Sequence, residues 1–564
     1  MSYRAPADDH RFILEQVVNF NGVAATDRFT DATPDTASAI LTEAARLCDE
    51  VIAPLNRNGD LTPARLENGV VRASPGYAEG YRAIAEGGWV GLAANPEFGG
   101  MGLPMALNTA VNEMLAGACL ALQLKPLLTQ GQIEALEHHA SDELKALYLP
   151  KLISGQWSGT MNLTEPHAGS DVGALNSTAK PNDDGSYAVT GQKIFITWGD
   201  SDIVENVCHL VLARLPDGAP GTRGISLFMV PKYLPDANGN PGEANSLKVV
   251  SLEHKLGIHG SPTCVMQFDG AKGWLVGGPH KGMAAMFTMM NNARLGVGAQ
   301  GVGVAEAALQ QALQYAQDRV QGKTPEGVPG IIGHADVRRM LAESRAEVFA
   351  ARAISLACAV AIDMGTATDD PAWKARAALL TPIAKAYGTD IGCKVADTGV
   401  QIHGGMGFIE ETGAAQFLRD ARITAIYEGT NGIQAMDLVG RKLMDGGEAA
   451  LRMIAELEAT ASGARAAQPE LAEDLWQAIE ALRETTDSLL ALEMNDRFAG
   501  AVPYLRGFAL VLGSAFHLKA ALAEASRLPL ARVMIRRLLP EHQALFARSL
   551  QGAADFYALS PEAL

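Results

Sequence analysis

The sequence predicts a mainly helical α+β protein with one β-domain set between helical ones. Two observations carry that prediction. Apolar residues recur at i, i+3 and i+4 from about Ser38 to residue 156, and again from Met283 onward. Between Trp157 and residue 278 the period falls to two, in short runs broken by Gly, Pro, Asn and Asp. With 564 residues the chain is too long for one core. The expected division is an arm at 1–35, a helical domain at 36–156, an antiparallel β-domain at 157–278, a helical bundle at 279–445 and a helical C-terminal extension at 446–564.

In order, residues 1–35 read as irregular, with one short amphipathic piece at Phe12–Phe20. Ile40, Leu41, Ala44, Leu47, Cys48, Val51 and Ile52 then form a helical stripe. Further helices are expected at Tyr77–Gly87, Met105–Leu120, Gln130–Leu136 and Asp142–Leu149, with a Gly/Pro loop at Asn95–Pro104. Strands are expected at Trp157–Leu163, Ser186–Thr190, Lys193–Thr197, Cys208–Ala213, Ile225–Val230, Leu247–Leu252 and Thr263–Phe268, as a barrel or sandwich. Long amphipathic runs at 283–321, 334–365, 370–402 and 433–444 suit a bundle. Residues 445–470 read as a connection, and helical patterning returns from 471.

Composition excludes several classes. The net charge of −17 argues against nucleic acid or an anionic membrane as the main partner. Six scattered cysteines without a CxxC pair fit reduced thiols in a cytoplasmic protein. The start MSYRAPADDHRF lacks an apolar core, so no signal peptide is read there. No uncharged apolar run approaches ~18 residues, so no membrane span is expected. His403 has no second His or Cys at ligand spacing, so no metal is expected. Strand and helix do not alternate and no Walker A pattern occurs, so a nucleotide cofactor would be held another way.

Six segments can carry chemistry. In Arg422-Ile-Thr-Ala-Ile-Tyr427-Glu428-Gly429-Thr430-Asn431-Gly432 a single carboxylate stands before a helix start, with Thr430 or Asn431 as N-cap. A carboxylate with apolar neighbours can become a general base, but this segment taken alone reads rather as a solvated loop glutamate. Met161–Gly173 ends a strand in a turn forced by Pro166 and Gly169, with hydroxyls at Thr164 and Ser170; it suits a phosphate or a ring edge, or a plain surface loop. Phe195 and Thr197 share a face of the strand Lys193–Thr197, as a ring platform or as core. Asn291-Asn-Ala-Arg294 opens a long helix, and Arg319 offers a fork for phosphate. In Gln401-Ile-His-Gly404-Gly405-Met-Gly407 the glycines would let a backbone approach a pyrophosphate, or simply end a helix.

Together these segments resemble the acyl-CoA dehydrogenases. Tyr427-Glu428-Gly429-Thr430 is similar to their catalytic loop, Thr164-Glu-Pro-His-Ala-Gly169-Ser170-Asp171 to their flavin signature, and Gln401-Ile-His-Gly404-Gly405-Met-Gly407 to their dinucleotide turn. The resemblance runs over residues ~36–445 with every segment in order. It implies an α-domain, a β-domain and a four-helix bundle with FAD lodged between them. It further implies that Glu428 removes the α-proton of an acyl-CoA while the flavin takes the β-hydride. FAD contacts would come from Met161, Leu163, Thr164, Gly169, Ser170, Phe195, Ile196, Thr197, Arg319, Gln401, Gly404, Gly405 and Thr430. Substrate contacts would come from Ser170, Asn291, Arg294, Tyr427 and Gly429. A homodimer and reoxidation by electron-transferring flavoprotein are implied as well. The chain departs from the pattern at Phe195 (usually Trp), Trp198, Asn291 (usually Asp) and an insertion at 323–330.

The Tyr3-x-Ala-Pro arm and the helical extension resemble a bacterial subgroup that includes 3-methylmercaptopropionyl-CoA dehydrogenase, an enzyme of dimethylsulfoniopropionate degradation. A short to medium acyl chain is therefore expected, with a long-chain enzyme as the alternative. An acyl-CoA oxidase is a further rival. So is a DNA-binding relative, which eleven Lys/Arg against fourteen Asp/Glu in residues 451–564 disfavour.

Overall fold

Two units share the chain: one holds Arg46–Leu103 and Ala118–Ala293, the other Met1–Ala45, Pro104–Gly117 and Arg294–Leu564. The computed structural model describes residues 3–325 and 327–564; Met1, Ser2 and Glu326, the last within the 323–330 insertion, lie outside the described residues.

The first unit carries the β-structure. Strands β1 (Arg65–Glu67) and β2 (Val70–Arg72) form a hairpin where an all-helical domain is expected. Its turn, Asn68-Gly69, has φ of 51° and 78°, the left-handed pair that an Asn-Gly hairpin turn requires. The main sheet comprises β3 (Trp157–Asn162), β4 (Thr178–Pro181), β5 (Tyr187–Thr197), β6 (Asn206–Arg214), β7 (Ile225–Pro231), β10 (Leu247–Leu252) and β11 (Thr263–Val276). A small hairpin of β8 (Tyr233–Pro235) and β9 (Pro241–Ala244) lies apart from it. The order β10-β11-β5-β4-β6-β3 closes on itself, because β7 pairs with both β11 and β6. Pairing is mostly antiparallel; β3–β6 and the single β4–β6 contact, Thr178 with Arg214, are parallel. Val189, Ile196, Val211, Phe228, Met266 and Phe268 fill the centre.

The two strands expected at Ser186–Thr190 and Lys193–Thr197 are one. β5 runs through Gly191, and a register shift opposite Cys264/Met266 bulges it near Phe195. Phe195 takes φ of 60° there and ends 59 % exposed, so it and Thr197 do not share the plain alternation of an unbroken strand.

The second unit is helical. Gly282–Asp318 enters it at Arg294 and packs beside Pro371–His403 by glycine on glycine. A Cβ on Gly301 would lie 2.4 Å from the Gly388 carbonyl oxygen, and one on Gly388 2.6 Å from that of Gly298. Pro371–His403 starts at Pro371 with the Asp370 carboxylate accepting from Ala372 N at 2.8 Å, and stops where Gly404 turns to φ of 59°. Ala335–Thr368 and Met494–Ala523 pack alongside.

Several expectations are corrected here. The arm is helical over Ala7–Phe12, Ile13–Val17 and Phe20–Ala24. Residues 445–470 contain the helix Glu448–Ala464, since their alanines favour helix more than their glycines oppose it. Asn291 and Arg294 do not open a helix; it begins at Gly282. Met105–His139 is a kinked helix whose two pieces, as many as expected, meet at non-helical Cys119 and not over 121–129. This helix, Ala335–Thr368 and Met494–Ala523 are long and apolar enough to cross a membrane, and 94 %, 89 % and 72 % of their most apolar windows lie buried in the fold.

Candidate functional site

The Glu428 loop is built on left-handed backbone. Arg422–Ala425 forms a tight turn, Glu428 then takes φ of 57° and Gly429 φ of 85°, and Thr430 caps Asn431–Asp437 by accepting from Ile433 N at 3.3 Å. This conformation is free of steric cost for Gly429 but not for Glu428, whose Cβ crowds the backbone. Their carbonyls are held from outside the loop. The Glu428 oxygen accepts from Gln434 Nε2 at 3.1 Å and Arg294 Nε at 3.4 Å; that of Gly429 accepts from Lys385 Nζ at 2.9 Å and Gln434 Nε2 at 3.3 Å. Tyr427 donates its hydroxyl to Gln300, itself fully buried.

Half-buried Glu428 makes no side-chain hydrogen bond or ion pair with any described residue. Burial pushes its carboxyl up to about 7, and Arg294 and Lys385 oppose that rise without cancelling it. A carboxylate with that affinity can take a proton near neutrality. Burial lowers the Arg294 guanidinium, against Asp437 (3.9 Å) and Glu428.

At the far end of the same two helices, Tyr315 and His403 stack with centroids 4.4 Å apart. This brings exposed Arg319, just past Asp318, together with exposed Gln401, Gly404 and Gly405. A Cβ on Gly404 or Gly405 would meet nothing within 4 Å, so the turn presents bare backbone. His403 Nδ1 bonds the Gly399 carbonyl, and among the described residues no group of His, Cys, Asp and Glu gathers to hold a metal.

In the β-unit the turn after β3 is locked to β5. Lys193 and Glu165, both buried, pair at 2.8 Å, and Lys193 also donates to the Leu163 carbonyl at 3.1 Å. Glu165 accepts from Asn176 N, Ser177 N and Ser177 Oγ as well, and Ile194 N bonds the Thr164 oxygen at 2.9 Å. Burial would raise the Glu165 carboxyl, but Lys193 and these donors hold it low. The lock leaves Met161, Leu163, Thr164 and Thr197 half-exposed and Gly169, Ser170 and Phe195 exposed. Ile196 is different: the whole residue is 2 % exposed, in the barrel centre, and its carbonyl accepts from Gly199 N at 3.2 Å.

Models of the acyl-CoA dehydrogenase N-terminal, middle and C-terminal domains match residues 34–156, 160–271 and 280–444, and an acetyl-CoA dehydrogenase C-terminal-like model matches 453–560. The chain belongs to the acyl-CoA dehydrogenase family. It is 48 % identical over 520 residues to 3-methylmercaptopropionyl-CoA dehydrogenase of Ruegeria pomeroyi, covering 90 % of this chain and 88 % of that one. It is 37 % identical over 482 residues to a butyryl-CoA dehydrogenase of Syntrophomonas wolfei, covering 81 % and 78 %. The solved acyl-CoA dehydrogenase of Bacillus anthracis, complexed with FAD, shares the fold at a TM-score of 0.74 and 21 % identity over 97 % of this chain and 92 % of that one. As a member of the family the protein is an oxidoreductase.

Within this acyl-CoA dehydrogenase, Arg294, Tyr427, Glu428, Gly429 and Thr430 form one cluster, and Arg319, Gln401, Gly404 and Gly405 another. Asn291 is exposed, three residues before Arg294. Sequence reading missed Lys385, Gln300 and Gln434 as supports of the loop. A lysine within the apolar run Leu379-Leu380-Thr-Pro-Ile-Ala384 was the available signal for the first.

Proposed function

We propose that this protein is an FAD-dependent acyl-CoA dehydrogenase for short acyl chains, converting 3-(methylthio)propanoyl-CoA to 3-(methylthio)acryloyl-CoA among them. Glu428 carries the proposal: one half-buried carboxyl, poised near 7, on a backbone that four donor contacts hold in place. Its role is to take the α-proton of the thioester. The Glu428 N–H, on a fixed left-handed backbone, is a donor for the thioester oxygen as the enolate develops. The exposed Phe195 ring on its bulge and the hydroxyls of Thr164 and Thr197 fit a flat heteroaromatic ring. The bare turn at Gly404–Gly405 with Arg319 fits a pyrophosphate. FAD, when bound, supplies the hydride acceptor. Met161, Leu163, Gly169, Ser170, Ile196, Gln401 and Thr430 complete the contacts we assign to it. Ser170, Asn291, Arg294, Tyr427 and Gly429 are assigned to acyl-CoA. A homodimer in the cytoplasm, reoxidised by electron-transferring flavoprotein, completes the reading.

The thioether substrate is supported by the Ruegeria pomeroyi relative. A sulfur and a methylene are both apolar and close in size, and one methylene is worth only ~1–3 kcal/mol in discrimination. Activity should therefore extend from methylthiopropionyl-CoA to butyryl- and hexanoyl-CoA. The test is kcat/KM on methylthiopropionyl-, butyryl-, octanoyl- and palmitoyl-CoA with a dye acceptor, on yellow protein with bound FAD. A maximum at palmitoyl-CoA with no thioether turnover would replace this substrate by a long chain.

A further inference from the structure

We propose that Lys385 is a positioning residue for the dehydrogenation: its ammonium clamps the Gly429 carbonyl and the Asn431 side chain, and so fixes the backbone that carries Glu428. This rests on the reading of Glu428 as the base.

Lys385 is fully buried in the helix Pro371–His403. Its Nζ donates to the Gly429 oxygen at 2.9 Å and to Asn431 Oδ1 at 2.9 Å, and among the described residues it forms no ion pair. Asn431 in turn donates to Asp390 Oδ1 at 2.6 Å and Thr389 Oγ1 at 2.9 Å, one helical turn along from Lys385. One buried cation therefore grips the loop on both sides of Thr430. A non-glycine residue holds a left-handed backbone only where its surroundings over-determine it, and Glu428 at φ of 57° is such a residue. An unpaired lysine in a helix interior is expensive to bury, so its two acceptors must be in place for the fold to keep it.

The same ammonium bears on the charge of the base. Lys385 is lowered by burial to about 8, while Glu428 and Asp390 favour its charged form and Arg294 disfavours it. Cys393 faces it from its own helix. Beyond these, Arg422 and Arg506 act on Asp390, and Asp437 with Arg441 act on Arg294. Arg294 and Lys385 are the two cations that resist the rise of the Glu428 carboxyl. Removing Lys385 therefore loosens the loop and raises that carboxyl further. The base must be ionised to act, so the rising limb of the pH profile moves to higher pH.

The experiment compares wild type, Lys385→Met, Lys385→Gln and Glu428→Gln, each loaded with FAD, using the best acyl-CoA and a dye acceptor across pH 5.5–9. Methionine removes donor and charge; glutamine keeps a donor and removes the charge. Lys385→Met should lower kcat by about tenfold or more, since small misplacements of a reacting group are costly, with KM little changed. Its rising limb in kcat/KM should move up by about one pH unit. Lys385→Gln should recover part of kcat and keep the shifted limb. An unshifted limb in Lys385→Gln overturns the proposal, as does a wild-type kcat in Lys385→Met, and the glutamine variant decides alone where the methionine one does not fold. An inactive Glu428→Gln beside unshifted Lys385 variants leaves the base standing and removes only Lys385; an active Glu428→Gln removes both.

Discussion

At the scale of the residue, Glu428 combines an ordinary side chain with unusual surroundings. Burial raises its carboxyl to about 7 despite Arg294 and Lys385. The ionised form takes the proton, so kcat/KM should rise with pH through about 7 and be lost below it; a profile flat from pH 5 to 8 would contradict this. Glu428→Gln keeps the shape of the side chain and removes its basicity. Substrate binding, read by perturbation of the flavin spectrum, should persist while turnover falls by ~10²–10⁴-fold. Flavin bleaching by acyl-CoA at the wild-type rate would remove Glu428 from the chemistry. Glu428 was legible because four consecutive residues carry the pattern Tyr427-Glu-Gly-Thr430. Lys385, Gln300 and Arg294 reach that loop from 44, 127 and 134 positions away, as Lys385–Gly429, Tyr427–Gln300 and Arg294–Glu428 contacts, and no local pattern records such pairs.

At the scale of the element, period and length were legible, and breaks were not. The bundle helices are readable because each is long and apolar; in Ala335–Thr368 every residue from Ala346 to Ala361 is buried. β5 looks like two strands because Gly191-Gln192 interrupts the β-branched run, yet Gly191 carries the ladder through at φ of 152°, a backbone open to glycine. The hairpin at Asn68-Gly69 carries an Asn-Gly turn signal, but the same dipeptide recurs at Asn21, Asn58, Asn238 and Asn431, and the helical periodicity around it is stronger. Where two helices must approach closely, glycine identity decides. Gly301 lies against the backbone of Gly388 and Thr389, with a Cβ's space already taken at 2.4 Å and 2.6 Å. Gly301→Ala must push apart the helices that carry Arg294 and Lys385. Overpacking of this kind costs about 1–3 kcal/mol, and the displacement should also lower kcat. A variant with unchanged Tm and kcat would show that the helices separate freely.

At the scale of the whole molecule, one buried charge cluster ties distant parts of the helical unit together. Arg352 is fully buried and meets Glu113 at 2.7 Å, Glu306 at 2.9 Å and Asp9 at 3.5 Å. Glu306 also pairs with Arg345 at 3.1 Å, and Asp9 with Arg527 of the C-terminal extension at 2.9 Å. The arm, the 104–117 segment, two bundle helices and the extension thus share one network. Sequence could not show it, because Glu113, Glu306 and Arg352 are each a lone charge in an apolar run and their partners lie far off along the chain. Burial alone would raise both glutamates; Arg345 and Arg352 hold Glu306 down at about 2, and Arg352 with His10 lowers Glu113. A carboxyl with a depressed folded pKa stabilises the fold above its unfolded value, about 4.3. That stability is lost as pH falls from there toward about 2. Arg352→Met leaves two buried carboxylates without their shared partner, a change of the kind that costs ~3–5 kcal/mol. Thermal melts at pH 7 should show a fall in Tm of several degrees. Since the variant's carboxylates are no longer held down, its Tm should gain on wild type as the pH is lowered toward 4. A variant that melts with wild type at both pH values would mean that the cluster contributes no net stability.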